Sequence, residues 1–451
     1  MFFDLHVIIE RWQDEKSVQI SFFPTEALNI NPLKLCVGHW KFDLKKQDMQ
    51  QTNERWFQMK NDGKRNLFFL ERKWQGYYAE DSATLFLGPV IAILTEIKGS
   101  KGNIQFPSIE EFCKEVDQIF RKKGGFMYVA NLNDFYKEKG YYQEKHEWKK
   151  ETLPIPDVIY NRIHSRKKET SRAFRNVKRV VKNHHICFFN ESFLDKWKVF
   201  ELLQESDDIR PYLPETKLLT KDSLLQMLAN SPVYIKPIEG SQGKDIIYAE
   251  QKDGKMFIRS TGEMLDMDET MEIQPFLTKL FHSLDPSSFL IQKKIDLLTP
   301  QDCLLDFRLL CHWQGDHGWK VTSIVARTGK NKAIVSNISQ GGHLEKPKTI
   351  LKKFFPTDFF HIYQTMIQFA VKVAQAVHQR SDGNFFELGV DIGIDQKGKI
   401  WLIEVNSKPS KKEAIHTNTF RPSALAIFHI AEKKWRERME FDVQNRDERN
   451  D

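Results

Sequence analysis

Three polar residues late in the chain, Asp391, Glu404 and Asn406, are spaced for metal chemistry. They belong to Gly389-Val390-Asp391-Ile392-Gly393 and Trp401-Leu402-Ile403-Glu404-Val405-Asn406-Ser407, two apolar stretches separated by a Lys/Gly turn. Side chains alternate along a strand, so Glu404 and Asn406 project together while Ile403 and Val405 point to a core. If the stretches pair as a hairpin turning near Lys397-Gly398, Asp391 comes almost opposite Glu404. Facing carboxylates repel each other. A cation between them removes that penalty, and two carboxylates, a neutral oxygen and substrate phosphates form a set that Mg²⁺ favours. The alternative is a hairpin with solvated acids on its outer face.

Other segments carry phosphate chemistry. Pro232-Val233-Tyr234-Ile235-Lys236-Pro237 leads into Glu239-Gly240-Ser241-Gln242-Gly243-Lys244. A lysine in an apolar strand costs desolvation unless its charge meets a partner, and a glycine-rich turn lets backbone N–H groups close on phosphate oxygens. Strands resume at 245–249 and 256–260, so the loop joins two strands and is not a Walker loop. Lys236 as a snorkelling edge-strand lysine is the alternative. Phe289-Leu290-Ile291-Gln292-Lys293-Lys294-Ile295 turns abruptly from apolar to polar, a hinge that can offer backbone groups to an adenine edge, or an ordinary amphipathic strand. Asp306 and Arg308 share a strand face, and Arg327 ends another strand. Two guanidiniums can clamp a phosphoryl group in flight, and pairing of Arg308 with Asp306 or another acid is the structural alternative. Asn337-Ile338-Ser339-Gln340-Gly341-Gly342 reads as a lid or an ordinary turn.

The elements that must position these residues follow from punctuation. Residues 1–85 read as a small β-rich domain with strands such as Ser17 to Phe23 and Asn66 to Leu70. A buried strand near Phe86 to Ile93 opens a second unit, residues 86–210. It continues with a helix capped by Ser108 and ending at Gly124-Gly125, then strands at Phe126 to Ala130, Asp157 to Tyr160 and Ile186 to Phe189 in α/β alternation. Phe193 to Leu203 reads as helical. A larger α+β region spans 211–432, and 433–451 reads as a tail too charged to fold alone. There is no internal repeat.

The 451 residues, 40% of them hydrophobic, suffice for sizeable cores. Five scattered cysteines without ligand spacing suggest a reducing compartment. No apolar run is long enough to span a bilayer, and Asp4 and His6 interrupt the place of a signal peptide, so the expectation is a soluble, intracellular protein with no membrane partner. The net charge of +7 is modest. No stripe interleaves bases with aromatics, which argues against nucleic acid. The densest basic stretch, Arg166 to Lys182, is a solvated helix face or an anionic-ligand surface. There is no Gly-x-Ser-x-Gly elbow and no His-Glu-x-x-His zinc motif.

Taken in order, these motifs resemble the ATP-grasp superfamily. The resemblance implies that ATP is held by Lys236 with Gly240, Ser241, Gln242 and Gly243, by the hinge residues Gln292, Lys293 and Ile295, and by Lys196, which opens a helix after Asp195. It implies Arg308, Arg327 and Asn337 as catalytic residues facing the transferred phosphoryl, and Asp391, Glu404 and Asn406 as ligands of Mg²⁺. Val335 replaces an arginine found in some amino-acid ligases, and Ser407-Lys408-Pro409-Ser410 departs from a small glycine-containing loop, so the second substrate stays open. More narrowly, Gly88-Pro89-Val90-Ile91, Pro156 to Arg162, Phe193-Leu194-Asp195-Lys196-Trp197 and Tyr212-Leu213-Pro214-Glu215-Thr216 resemble the YheC/YheD family of endospore coat-associated proteins. The implied fold is α/β and α+β: an ATP-grasp domain, a preceding Rossmann-like pre-ATP-grasp domain and a small β-rich N-terminal domain. The implied activity is a Mg-ATP-dependent ligase joining a carboxylate to an amine or related nucleophile through an acylphosphate. Nucleotide binding without turnover by a coat-assembly protein, and small-molecule kinase activity, are the alternatives. The implied setting is the cytoplasm of a sporulating mother cell or the spore coat, with coat proteins as partners.

Overall fold

The structure is a computed structural model describing residues 1–11, 17–25, 30–47, 56–60, 67–100, 103–107, 109–240, 243–262, 269–331, 343–411 and 419–447. The chain forms two compact units. One comprises Met1–Ser192, Trp313–His317 and Ser410–Asp451, the other Phe193–His312 and Gly318–Pro409.

The first unit begins with a closed barrel whose strands run, in spatial order, Phe2–Arg11, Ser17–Pro24, Trp56–Lys60, Trp40–Gln47, Lys34–Val37, Thr84–Gly88 and Lys73–Ala79. Closure leaves no edge open to a foreign strand. Alternate residues such as Leu5, Val7, Ile20, Leu35 and Val37 fill its core. The strand expected to end at Leu70 is instead a single 3₁₀ turn, Phe68–Leu70, with Leu70 N–H donating to Leu67 O at 2.9 Å. Leu67, Phe69 and Leu70 are all buried. Asn66 lies outside the described residues.

The barrel ends at Gly88, and Val90 starts a six-stranded sheet ordered Glu147–Thr152, Lys139–Glu144, Phe126–Ala130, Val90–Leu94, Val158–Asn161, Cys187–Phe189. Its last four strands run parallel. Val90–Leu94 and Phe126–Ala130 are buried at every residue, as expected for a sheet covered on both faces. The helix Glu110–Lys123 stops at Gly124, whose φ of +93° suits glycine. Its expected cap, Ser108, lies outside the described residues.

The stretch expected to be a charged tail continues a long helix, Pro422–Asp447. Ile427, Ala431, Trp435 and Met439 recur every four residues and are buried, so one apolar stripe packs while the charges occupy the outer faces. Any Cβ at Gly88 would collide with the Trp435 indole. Arg438 donates to Asp157 at 2.5 Å, and Asp157 accepts from Val90 N–H at 2.7 Å. Composition alone overlooks such spacing.

In the second unit, an antiparallel sheet is ordered Thr216–Leu218, Phe289–Lys293, Val233–Pro237, Ile247–Lys252, Lys255–Ser260, Glu269–Met271. Leu224 and Met227 of helix Lys221–Leu228 and Phe276 and Leu280 of helix Ile273–Ser283 share a core with Val233, Ile235, Ile247 and Ile291. Alternation turns Tyr234, Lys236, Tyr248 and Gln292 to the opposite face. The second sheet is ordered His343–Glu345, Trp319–Asn331, Cys303–Trp313, Glu387–Ile394, Ile400–Asn406. Helix Phe359–Arg380 covers one face, and Asp306, Arg308, His312, Glu387 and Asp391 line the other. Among the described residues, no helix is long and apolar enough to cross a membrane.

Candidate nucleotide and metal site

The last two strands pair as a hairpin with Asp391 opposite Glu404 and Gly389 opposite Asn406. Asp395 Oδ1 accepts from Lys397 and Lys399 N–H at 2.9 and 3.0 Å, closing the turn, and Gly398 takes φ +82°. The strict alternation expected of this strand fails at one place. The register shifts after Asp391 so that Ile392 faces Leu402, which makes Ile403 the extra residue of a bulge and leaves it half-buried while Leu402 and Val405 are buried. Asn406 Nδ2 reaches Asp391 Oδ2 at 3.4 Å. A side chain at Gly389 would come within 2.9 Å of Pro409 and 3.3 Å of the Arg308 stem, so glycine lets Arg308 lie across this strand.

Both arginines expected to face a phosphoryl group bind acids of the protein. Arg308 Nε and Nη2 engage the two oxygens of Asp391, the second at 2.8 Å. Arg327 holds Asp306 through Nε at 2.6 Å and Nη2 at 2.7 Å, and its Nη2 also lies 2.9 Å from Asp391 Oδ2. All four residues are buried. The cause is register, because Arg308 sits directly opposite Asp391. Burial pushes the Asp391 carboxyl up, but the Arg308 and Arg327 guanidiniums outweigh it and hold the group below the usual carboxylate range.

The two lysines occupy a different setting. Lys196 is the first residue of helix Lys196–Gln204, fixed by Asp195 Oδ1, which accepts from Trp197 and Lys198 N–H at 2.8 and 3.1 Å. Its ammonium donates to Gly240 O and lies 3.3 Å from Glu404 Oε1. Lys236 donates to Gln292 Oε1 at 2.6 Å, and Gln292 Nε2 donates to Thr216 Oγ1 at 3.2 Å. Burial pushes Lys236 down to about 8; Glu404 opposes that shift and Lys196 adds to it. Lys196, Lys236, Gly240, Gln292 and Glu404 thus form one cluster.

Lys293 is not in it. Its side chain is exposed and its N–H donates to Glu215 O at 2.9 Å. Ile295, half-buried, lies beyond the strand end. Gly243 takes φ +66°, consistent with a tight turn. Ser241, Gln242, Asn337 and Val335 lie outside the described residues.

The link between Lys196 and Glu404, the Thr216 support of Gln292, and a trio of buried His312 and Glu387 with half-buried Thr322 on the same sheet face as Arg308 were not foreseen from the sequence. In that trio His312 Nε2 lies 2.8 Å from Glu387 and Nδ1 lies 2.7 Å from Thr322. The Arg308–Asp391 pair was signalled by two oppositely charged residues on apolar strands, but only the register shows that they meet.

The donors of Asp391, Glu404 and Asn406 are all oxygen, with two carboxylates opposed in register, which suits a hard cation such as magnesium. Among the described residues no group of three or more His, Cys, Asp and Glu side chains gathers to hold a metal. An ion here would therefore rest on two carboxylates and an amide, with ligand oxygens completing its shell.

Residues 185–432 match the family described as YheC/D like ATP-grasp. The endospore coat-associated protein YheD of Bacillus subtilis (strain 168) is 28% identical over 354 residues, covering 76% of this chain and 77% of YheD. The endospore coat-associated protein YheC of the same organism is 24% identical over 283 residues, covering 62% of this chain and 77% of YheC. Among solved structures, the D-cycloserine synthetase DcsG is 12% identical, covering 76% of this chain and 99% of that one with a TM-score of 0.45. The family match spans more than half of the sequence, and the chain belongs to the YheC/D-like ATP-grasp family and has the ATP-grasp fold.

Proposed function

We propose that this protein is an ATP-dependent ligase that activates a carboxylate as an acylphosphate and transfers it to an amine or related nucleophile. The observation carrying this reading is the convergence of Lys196 and Lys236, from separate segments, on Glu404. Two ammoniums against one carboxylate leave positive charge, and a polyphosphate is its chemical complement.

In the proposed reaction a substrate carboxylate oxygen bonds to the γ-phosphorus as the bond to the β–γ bridging oxygen breaks, releasing ADP. The nucleophile then bonds to the acyl carbon, inorganic phosphate departs, and the nucleophile loses its proton. Lys196 and Lys236 offset charge on the phosphates, and no side-chain nucleophile is required. Asp391, Glu404 and Asn406 would hold magnesium, which when bound supplies charge neutralisation at phosphate oxygens. Arg308 and Arg327 keep Asp391 ionised and fixed in place. The coat-associated names of YheD and YheC support a role in or beside the endospore coat, with coat proteins as neighbours.

Calorimetry of magnesium-ATP binding to Lys236→Ala tests the proposal. Loss of a charge-assisted phosphate contact should cost about 1.5–3 kcal/mol, roughly a tenfold to hundredfold loss of affinity. Unchanged affinity would remove the phosphate role of this lysine. ADP release against a panel of carboxylates separates turnover from binding alone.

A further inference from the structure

Tyr212-Leu213-Pro214-Glu215-Thr216 carries part of the family resemblance, yet its residue types name no chemistry. The fold gives its last residue a place. Thr216 opens the strand Thr216–Leu218 at the edge of the antiparallel sheet, paired directly with Gln292 of Phe289–Lys293, and Gln292 pairs in turn with Tyr234 of Val233–Pro237. Residues opposite one another in neighbouring strands share a face. Thr216, Gln292 and Tyr234 therefore form a row across three strands, with Lys236 two residues along from Tyr234 on the same face. Lys293 N–H donates to Glu215 O at 2.9 Å and ties the approach to Thr216 onto the middle strand. Thr216 is buried, and Gln292 and Lys236 are half-buried.

Polarity runs one way along the contacts. Thr216 Oγ1 donates to Pro214 O at 2.9 Å, Gln292 Nε2 donates to Thr216 Oγ1 at 3.2 Å, and Lys236 Nζ donates to Gln292 Oε1 at 2.6 Å. A carbonyl can only accept, and a hydroxyl has one proton to give. With that proton committed to Pro214 O, the threonine oxygen accepts from Gln292, which sets the amide nitrogen toward Thr216 and the amide oxygen toward Lys236. The reversed amide would put its NH₂ group against the Lys236 ammonium and its oxygen against a hydroxyl oxygen whose proton is spent. Valine has the shape of threonine without the hydroxyl, and would leave Lys236 alone to orient the amide.

We propose that Thr216 is a positioning residue of the nucleotide cluster, holding the Lys236 ammonium in place through the Gln292 amide. The proposal rests on the reading of Lys236 as a phosphate-binding lysine. Its flexible four-carbon stem loses freedom when a fixed acceptor holds its head, and freedom removed beforehand need not be removed when nucleotide binds. An ammonium has three protons to donate, so Lys236 can keep Gln292 while it reaches a phosphate oxygen.

The test compares the full-length wild type with Thr216→Val, Thr216→Ser, Gln292→Met and the double variant Thr216→Val/Gln292→Met. Without nucleotide, brief treatment with acetic anhydride followed by mass spectrometry gives the labelling rate of Lys236 relative to Lys293, an exposed lysine of the neighbouring strand. The ratio should rise roughly threefold or more in Thr216→Val and stay within about twofold of wild type in Thr216→Ser, as loss and retention of one hydrogen bond imply. Calorimetry should show magnesium-ATP affinity falling about threefold to tenfold in Thr216→Val and recovered in Thr216→Ser. In the Gln292→Met background, Thr216→Val should change neither quantity further, because its route through the amide is gone. Thr216→Ala takes the place of Thr216→Val if the latter does not fold. An unchanged labelling ratio in Thr216→Val, equal effects of the valine and serine variants, or the same loss with and without Gln292 overturns the proposal. A raised ratio with undiminished magnesium-ATP affinity also overturns it, because Thr216 would then hold Lys236 without serving the nucleotide. A wild type that binds no magnesium-ATP defeats the ligase reading instead, and the labelling ratios then decide alone whether Thr216 holds Lys236.

Discussion

Asp391 and Glu404 face each other across one hairpin, yet their surroundings could hardly differ more. Asp391 is 3% exposed and accepts from two guanidiniums, of which that of Arg327 also binds Asp306, so that two positive and two negative groups are packed together. The Glu404 side chain is 25% exposed and faces one lysine ammonium at 3.3 Å, with a second lysine close enough to feel its charge. A carboxylate enclosed by arginines holds a sheet face in one arrangement. A partly open carboxylate beside two lysines can exchange a protein partner for a ligand. The difference makes Asp391 a carboxylate fixed by arginines and Glu404 the more open member of the pair, although the sequence presents them as equals.

The largest effect should come from Asp391→Ala. It leaves the Arg308 and Arg327 guanidiniums buried beside a cavity, and removing one partner from a buried ion pair costs about 3–5 kcal/mol. Chemical denaturation should show the loss without any ligand, and Asp391→Asn should recover part of it. A variant as stable as the wild type would mean that the arginine cluster does not hold this sheet.

How far this contrast was legible in the sequence depends on the kind of interaction. Alternation and a turn signal bring Asp391 to within one residue of Glu404, because both are local, and the bulge at Ile403 supplies the last step of register. The glycines after Lys123 likewise mark a helix end through short-range rules, whereas the apolar run from Phe86 to Ile93, expected as one strand, divides at Gly88-Pro89 between the barrel strand Thr84–Gly88 and the sheet strand Val90–Leu94. The partners of Arg308 and Arg327 were not legible, since they depend on which strands neighbour each other in a sheet whose members lie tens of residues apart. The Ile403 bulge has no composition signal, and the packed helix beyond residue 432 was hidden by charges surrounding a four-residue apolar repeat.

A smaller effect on stability, and a larger one on ligand response, should follow from Glu404→Gln. Loss of a partly exposed ion pair costs about 0–1 kcal/mol, and relief of repulsion from Asp391 works in the opposite direction, so the ligand-free melting temperature should barely move. Magnesium-ATP should raise the melting temperature of the wild type and raise that of the variant much less. ADP release should fall roughly a hundredfold or more, as when a preorganised electrostatic contact is removed. Equal ligand-induced shifts in both proteins would show that Glu404 takes no part in the metal site.

The finest distinction concerns the protonation of Lys236. Its folded pKa, pushed down to about 8 by burial, lies below the ordinary value of 10.5. Between these values the unfolded chain holds more protons, so this group makes stability rise with pH across the window, and its destabilising effect is fully present below pH 8. Nucleotide binding has the opposite demand, because phosphate oxygens favour the ammonium. Near pH 8, where about half of the Lys236 side chains are neutral, binding of magnesium-ATP should draw roughly half a proton from solution. Calorimetry in two buffers of different ionisation enthalpy reads this as a difference in apparent heat. Lys236→Arg stays charged throughout and should abolish the uptake while retaining some affinity. The same uptake in that variant would assign the proton to another group and leave Lys236 without the ligand-responsive role that sets it apart from the arginines around Asp391.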